Sequence, residues 1–108
     1  MSTFLLYALL TRTCARVETS SMESKTLVDD DSDINLDVTW NDRIAFVHLS
    51  DGCYLIGYEG HEMSGKKIYF VKEPHYLQNH EWAYVIEYGG NIGIYTNFIS
   101  GYWCRCTK

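Results

Sequence analysis

Apolar and polar positions alternate along much of this chain, with a period of two. Ile34, Leu36, Val38 and Trp40 alternate with Asn35, Asp37 and Thr39. Successive side chains of an extended strand point to opposite faces, so this pattern predicts a strand with one wet face. Arg43–Leu49 (RIAFVHL), Cys53–Tyr58 (CYLIGY), Lys67–Lys72 (KIYFVK) and Tyr102–Cys106 (YWCRC) read as further strands. Asn41-Asp42 and Ser50-Asp51-Gly52 punctuate them as turns. Glu73-Pro74-His75 ends the Lys67–Lys72 run, because proline cannot donate to a central ladder. Glu18–Lys25 (ETSSMESK) is polar and predicts a loop. No long 3.6-period segment follows residue 18. The pattern predicts an all-β domain, a small antiparallel sandwich or barrel of six to seven strands.

The densest signal runs from Trp82 to Cys106. Trp82, Tyr84, Ile86 and Tyr88 alternate with Ala83, Val85 and Glu87; Gly89-Gly90-Asn91 follows; then Ile92, Ile94 and Thr96 alternate with Gly93 and Tyr95. This predicts a β-hairpin. A Gly89–Asn91 loop pairs Tyr88 with Ile92, Ile86 with Ile94 and Tyr84 with Thr96, and collects the large side chains on one face.

Composition narrows the class. The 108 residues suffice for one core, and 46% hydrophobic content with a single proline excludes a wholly disordered chain. Nine tyrosines suit half-buried sheets and wet binding faces. A net charge of −5 leaves little basic surface for phosphate backbones, so no nucleic-acid partner is expected. The four cysteines, Cys14, Cys53, Cys104 and Cys106, fit a disulfide-stapled, extracellular protein. Cys104 and Cys106 share a face of one strand and would close only a small ring. Each is expected to find a distant partner, Cys14 and Cys53 in either order.

The domain organisation has two parts: an apolar N-terminal segment, residues 1–17, and a single β domain, residues 18–108, with an acidic loop at 29–33. Phe4–Leu10 is apolar, and the segment reads either as a first strand, Thr3–Val17, or as a signal-like stretch. It is too short to span a bilayer.

Candidate chemistry mostly fails at the residues that matter. The cluster Asp29, Asp30, Asp31 and Asp33 suggests calcium, but an EF-hand counted from Asp29 meets Ile34 where glycine is needed and Trp40 where glutamate is needed. It reads as a solvated acidic loop, and no metal is expected. Gly60–Lys67 matches most of a phosphate-binding loop, yet Lys67 stands where a hydroxyl must hold magnesium and a strand follows where a helix must begin. His61-Glu62 and His80-Glu81 do not continue as H-E-x-x-H. No cofactor motif is present.

The run EWAYVIEYGGNIGIYTN, residues 81–97, resembles the late hairpin of the lipocalin barrel family. The resemblance implies a small apolar ligand inside a barrel; it assigns no binding residue. Three functional expectations follow. The first is a non-enzymatic, secreted module that binds a protein partner through an aromatic-rich sheet face, with Trp82, Tyr84, Tyr88 and Tyr95 as the contact residues. The second is a carrier of a small apolar ligand. The third is a small hydrolase or nuclease using His80 with Glu81 or Glu87 as general acid and base.

Overall fold

The computed structural model describes residues 12–73, 83–86 and 88–107. β1 (Thr13–Thr19) turns back antiparallel onto β2 (Ser24–Val28). The turn is shorter than the polar loop expected over Glu18–Lys25. Thr19 Oγ1 accepts hydrogen bonds from the Ser21 and Glu23 amides, each 3.2 Å, which lets both strands run to the turn. β3 (Ser32–Asp33) is followed by β4 (Ile44–Leu49), which lies antiparallel on the other side of β1. β5 (Cys53–Tyr58) and β6 (Lys67–Val71) form a second hairpin. β7 is Ala83–Val85 and β8 is Gly101–Cys106.

The strands make two sheets, ordered β2-β1-β4 and β3-β8-β5-β6-β7, packed as a sandwich. The all-β class expected from the alternation and the disulfide stapling expected from the four cysteines are what the chain adopts. Among the described residues the sheets do not close into a barrel. Val17, Leu27 and Val47 of the first sheet meet Leu55, Ile68, Phe70 and Tyr102 of the second in a shared core.

The two halves repeat one plan. In each, the third long strand is added to the first strand of a hairpin: β4 on β1, β8 on β5. The turns leading into β4 and β8 exchange backbone bonds reciprocally. The Asp42 amide donates to Ile99 O (2.9 Å) and the Asn97 amide to Ile44 O (3.1 Å); the Leu36 amide donates to Ser100 O (3.1 Å) and that of Ile92 to Ala45 O (3.3 Å). Asp42 and Asn97 both hold left-handed backbone, φ 56° and 67°. This approximate twofold locks the sheets to each other at their turns.

Two expected elements are corrected. Ile34–Trp40 is not a strand. The Asp33 carboxylate accepts the Asn35 amide (3.1 Å) and the Asp37 carboxylate accepts the Thr39 amide (3.0 Å), so local turns displace the ladder and leave Val38 87% exposed. Among the described residues of 82–96 the expected hairpin is also absent. β7 runs parallel to β6, with Tyr69, Phe70 and Val71 opposite Ala83, Tyr84 and Val85. Tyr88–Gly90 and Gly93–Tyr95 are single 3₁₀ turns. Asn91 bridges to Phe46 at the edge of β4, so this segment pairs with the first sheet and not with itself. Of the 1–17 segment, residues 13–17 lie in β1; residues 1–11, with Trp82, His80, Glu81 and Glu87, lie outside the described residues.

Both cysteine pairings are fixed. Cys14–Cys104 joins β1 to β8 and hence one sheet to the other, across a sequence separation of 90. A bulge in β1 between Thr13 and Ala15 breaks the alternation, so that Cys14 and Ala15 are both buried. Cys53–Cys106 joins β5 to β8 at directly opposed positions.

Candidate binding face

Alternation within β5, β6 and β8 sets an inner and an outer face on the larger sheet. Leu55, Ile68, Phe70, Tyr102 and Cys104 point into the core. Tyr54, Ile56, Tyr58, Lys67, Tyr69, Trp103 and Arg105 therefore occupy the opposite, outer face. The register brings them together: Ile56 lies opposite both Trp103 and Tyr69, and Tyr54 lies opposite Arg105.

These side chains form a ladder of rings and cations. The Tyr54 and Tyr69 rings stack with centroids 5.8 Å apart, and Lys67 Nζ sits 5.7 Å from the Tyr69 centroid. The Arg105 guanidinium carbon lies 5.1 Å from the Trp103 ring. Each contact of this kind contributes about 0.5–1 kcal/mol at a half-exposed site. Tyr54, Tyr69, Trp103 and Arg105 remain half-buried, so part of each faces solvent. Burial raises the Tyr58 phenol pKa above its ordinary value, with Lys67 opposing and Tyr69 adding to the shift.

The acidic loop borders this face. Trp103 Nε1 donates to Asp30 Oδ1 at 2.8 Å, and Arg105 Nε lies 3.6 Å from the same oxygen. The Cys106 amide donates to Asp29 Oδ1 (2.9 Å), the Asp30 amide to Cys104 O (2.8 Å) and the Cys104 amide to Asp31 O (2.8 Å). Asp29–Asp31 is thus a clip along the β8 edge as well as a charged loop. It fixes Trp103 and Arg105 in place.

The outer face of the smaller sheet differs in kind. Arg16, Glu18 and His48 form a polar row there, with Arg16 Nη1 2.7 Å and His48 Nε2 3.2 Å from the Glu18 carboxylate. One sheet presents an ion pair and its polar neighbour to water, and the other presents rings.

Of the expected contact residues, Tyr84 and Tyr95 stand together and Tyr88 stands apart. Tyr84, Tyr95 and Phe98 are half-buried and pack with the buried Phe70 as an aromatic cluster at the margin of the core, centroids 5.3–6.1 Å apart. Tyr88 is fully exposed, away from that cluster. Trp82 lies outside the described residues, as do His80, Glu81 and Glu87. The rings of the outer face were signalled by the alternation in CYLIGY, KIYFV and YWCRC. Their inward neighbours are just as apolar, so the pattern alone did not say which set faces water.

Three surface clefts border the described residues. One of about 390 Å³ is lined by Asp51, Gly52, Lys72 and Glu73 and is polar. One of about 190 Å³ lies between β4 and Ile86, and one of about 170 Å³ lies beside Trp103, lined by Ser32, Ile34 and Met63. No helix of the described residues is long and apolar enough to cross a membrane. Comparison with known proteins returned no matching family model, curated protein or solved structure.

Proposed function

We propose that this chain is a non-enzymatic, extracellular binding module whose contact surface is the outer face of β8-β5-β6. The observation that carries this reading is the ring-and-cation ladder of Tyr54, Tyr69, Trp103, Lys67 and Arg105, half-exposed on a rigid sheet. Tyrosine, tryptophan and arginine dominate the energetics of protein interfaces, because they give large contact area for few rotatable bonds. A sheet pinned by two disulfides holds them pre-ordered, which lowers the entropy cost of association. The same two disulfides support an oxidising, extracellular setting.

The partner in this reading is a protein. The space between the sheets is filled by Val17, Leu27, Val47, Leu55, Ile68 and Phe70, all buried, which favours a surface partner over an enclosed apolar ligand. The test is capture of extracellular partners on the immobilised folded chain, followed by affinity measurement with Tyr69→Ala and Trp103→Ala. Each substitution weakens binding by roughly 30-fold or more if it removes a hot spot of about 2 kcal/mol. Unchanged affinity in both variants, or a small apolar molecule released from the native protein as its tightest ligand, contradicts the proposal.

A further inference from the structure

The four sulfurs form one cluster. The Sγ atoms of Cys14, Cys53 and Cys106 all lie within 4.8 Å of one another, and Cys104 is bonded to Cys14. The two bridges are therefore neighbours, although their cysteines come from three strands. The contact between Cys14 and Cys53 is reciprocal: Cys14 Sγ is 3.9 Å from the Tyr54 carbonyl oxygen, and Cys53 Sγ is 3.9 Å from that of Thr13. Access to them is unequal. Cys14, Cys53 and Cys104 are buried, while Cys106 is partly exposed.

We infer that this cluster is a thiol–disulfide exchange site, entered by an external thiol at Cys106, through which reduction reaches the buried inter-sheet bridge. A thiolate attacks a disulfide sulfur and expels the other sulfur as a thiolate. An external thiolate bonds to Cys106 Sγ, and the Cys53–Cys106 bond breaks with its electron pair leaving on Cys53. The Cys53 thiolate then attacks Cys14 Sγ; the Cys14–Cys53 bond forms, and the Cys14–Cys104 bond breaks with its electron pair leaving on Cys104. Cys104 takes a proton from solvent. A second external thiol, as its thiolate, displaces Cys106 from the mixed disulfide, giving an external disulfide and a Cys106 thiol. In sum, two external thiols are oxidised, and one of the two bridges becomes a pair of thiols at Cys104 and Cys106. The sheets stay stapled, now through β1 and β5. Proximity drives the internal step, since a thiolate held beside its target reacts at very high effective concentration.

The inference does not depend on the binding proposal. It is tested by treating the oxidised protein with one equivalent of dithiothreitol, trapping thiols with N-ethylmaleimide in acid, and mapping the peptides. The expected result is loss of the Cys14–Cys104 linked peptide, appearance of a Cys14–Cys53 linked peptide, and label on Cys104 and Cys106. A two-thiol species labelled only at Cys53 and Cys106, or at Cys14 and Cys104, overturns it. The variant Cys106→Ala provides a second route without reductant. Its unpaired thiol is expected to be shared between Cys53 and Cys104, and a thiol confined to Cys53 counts against exchange.

Discussion

Gly57 sits on the inner face of β5, where Phe70 of β6 and Ile99 converge. A Cβ added there would lie 2.8 Å from Phe70 Cε2 and 3.1 Å from Ile99 Cγ1. Phe70 and Ile99 are fully buried, so neither ring nor branch can swing into solvent. Gly57→Ala therefore sets two opposed effects against each other. Removing glycine from a strand interior stabilises by roughly 0.5–1 kcal/mol through the unfolded chain. Overpacking a filled core costs about 1–3 kcal/mol. The contact is shorter than real Cβ atoms make, so the second effect wins, and the expected net loss is about 1–2 kcal/mol. With disulfides intact, this lowers the thermal midpoint by roughly 4–10 °C. The assay is tryptophan fluorescence in urea, with fits restricted to variants of unchanged slope. Phe70→Leu should partly relieve the clash, so the double variant should lose at least about 0.5 kcal/mol less than the sum of the singles. A Gly57→Ala protein as stable as the parent, or strict additivity, would refute the packing described for β5 and β6.

Further outcomes follow from other contacts. Ser100 is buried and its hydroxyl donates to Asp42 Oδ1 at 2.9 Å, so Ser100→Ala should cost about 1–2 kcal/mol in denaturant midpoint while Ser64→Ala, exposed, should cost far less. Removing the inter-sheet bridge by Cys14→Ala with Cys104→Ala should cost about 4 kcal/mol, read by calorimetry, because the remaining Cys53–Cys106 bridge shortens the loop that Cys14–Cys104 closes. Stability should also fall in alkali. Burial raises Tyr102 above its ordinary pKa of 10.0 against the opposing pull of Lys25. Burial works against the charge on Lys25, but the Tyr102 hydrogen bond and the charges of Tyr102, Asp33 and Asp31 raise its pKa above 10.5. Both folded-state values are raised, so their contribution is complete below the unfolded values and is lost as pH rises through the folded ones. Urea midpoints that do not decline as the pH rises above about 10 would contradict this pairing.

Much of the fold was legible because several strands bury one face and turn at strong signals. Cys53–Tyr58 has the predicted boundaries, and Ile44–Leu49, Lys67–Val71 and Gly101–Cys106 differ by a residue. Ile34–Trp40 misled because alternation is necessary for a strand but does not guarantee one; the Asp33 and Asp37 side chains offered the backbone a competing partner. The segment 82–96 misled because its hydrogen bonds go to β6 and β4, which no local pattern reports. An internal repeat was also present and unread. Trp40-Asn41-Asp42-Arg43-Ile44-Ala45 and Tyr95-Thr96-Asn97-Phe98-Ile99-Ser100 share an aromatic residue, a left-handed Asp or Asn, an isoleucine and a small residue at matching places. The candidate face shifted from Trp82, Tyr84, Tyr88 and Tyr95 to Tyr54, Tyr69 and Trp103, because register across three strands decides which rings stand together.

The most direct test of the account places a photo-cross-linking benzoylphenylalanine at Tyr69, on the outer face of the larger sheet, and in a separate variant at Val38, an exposed residue in the turns before β4. Irradiation in the presence of the captured partner should give a covalent adduct from Tyr69 and none from Val38. An adduct from Val38 with none from Tyr69 would contradict the claim that the ring-and-cation face is where this protein binds.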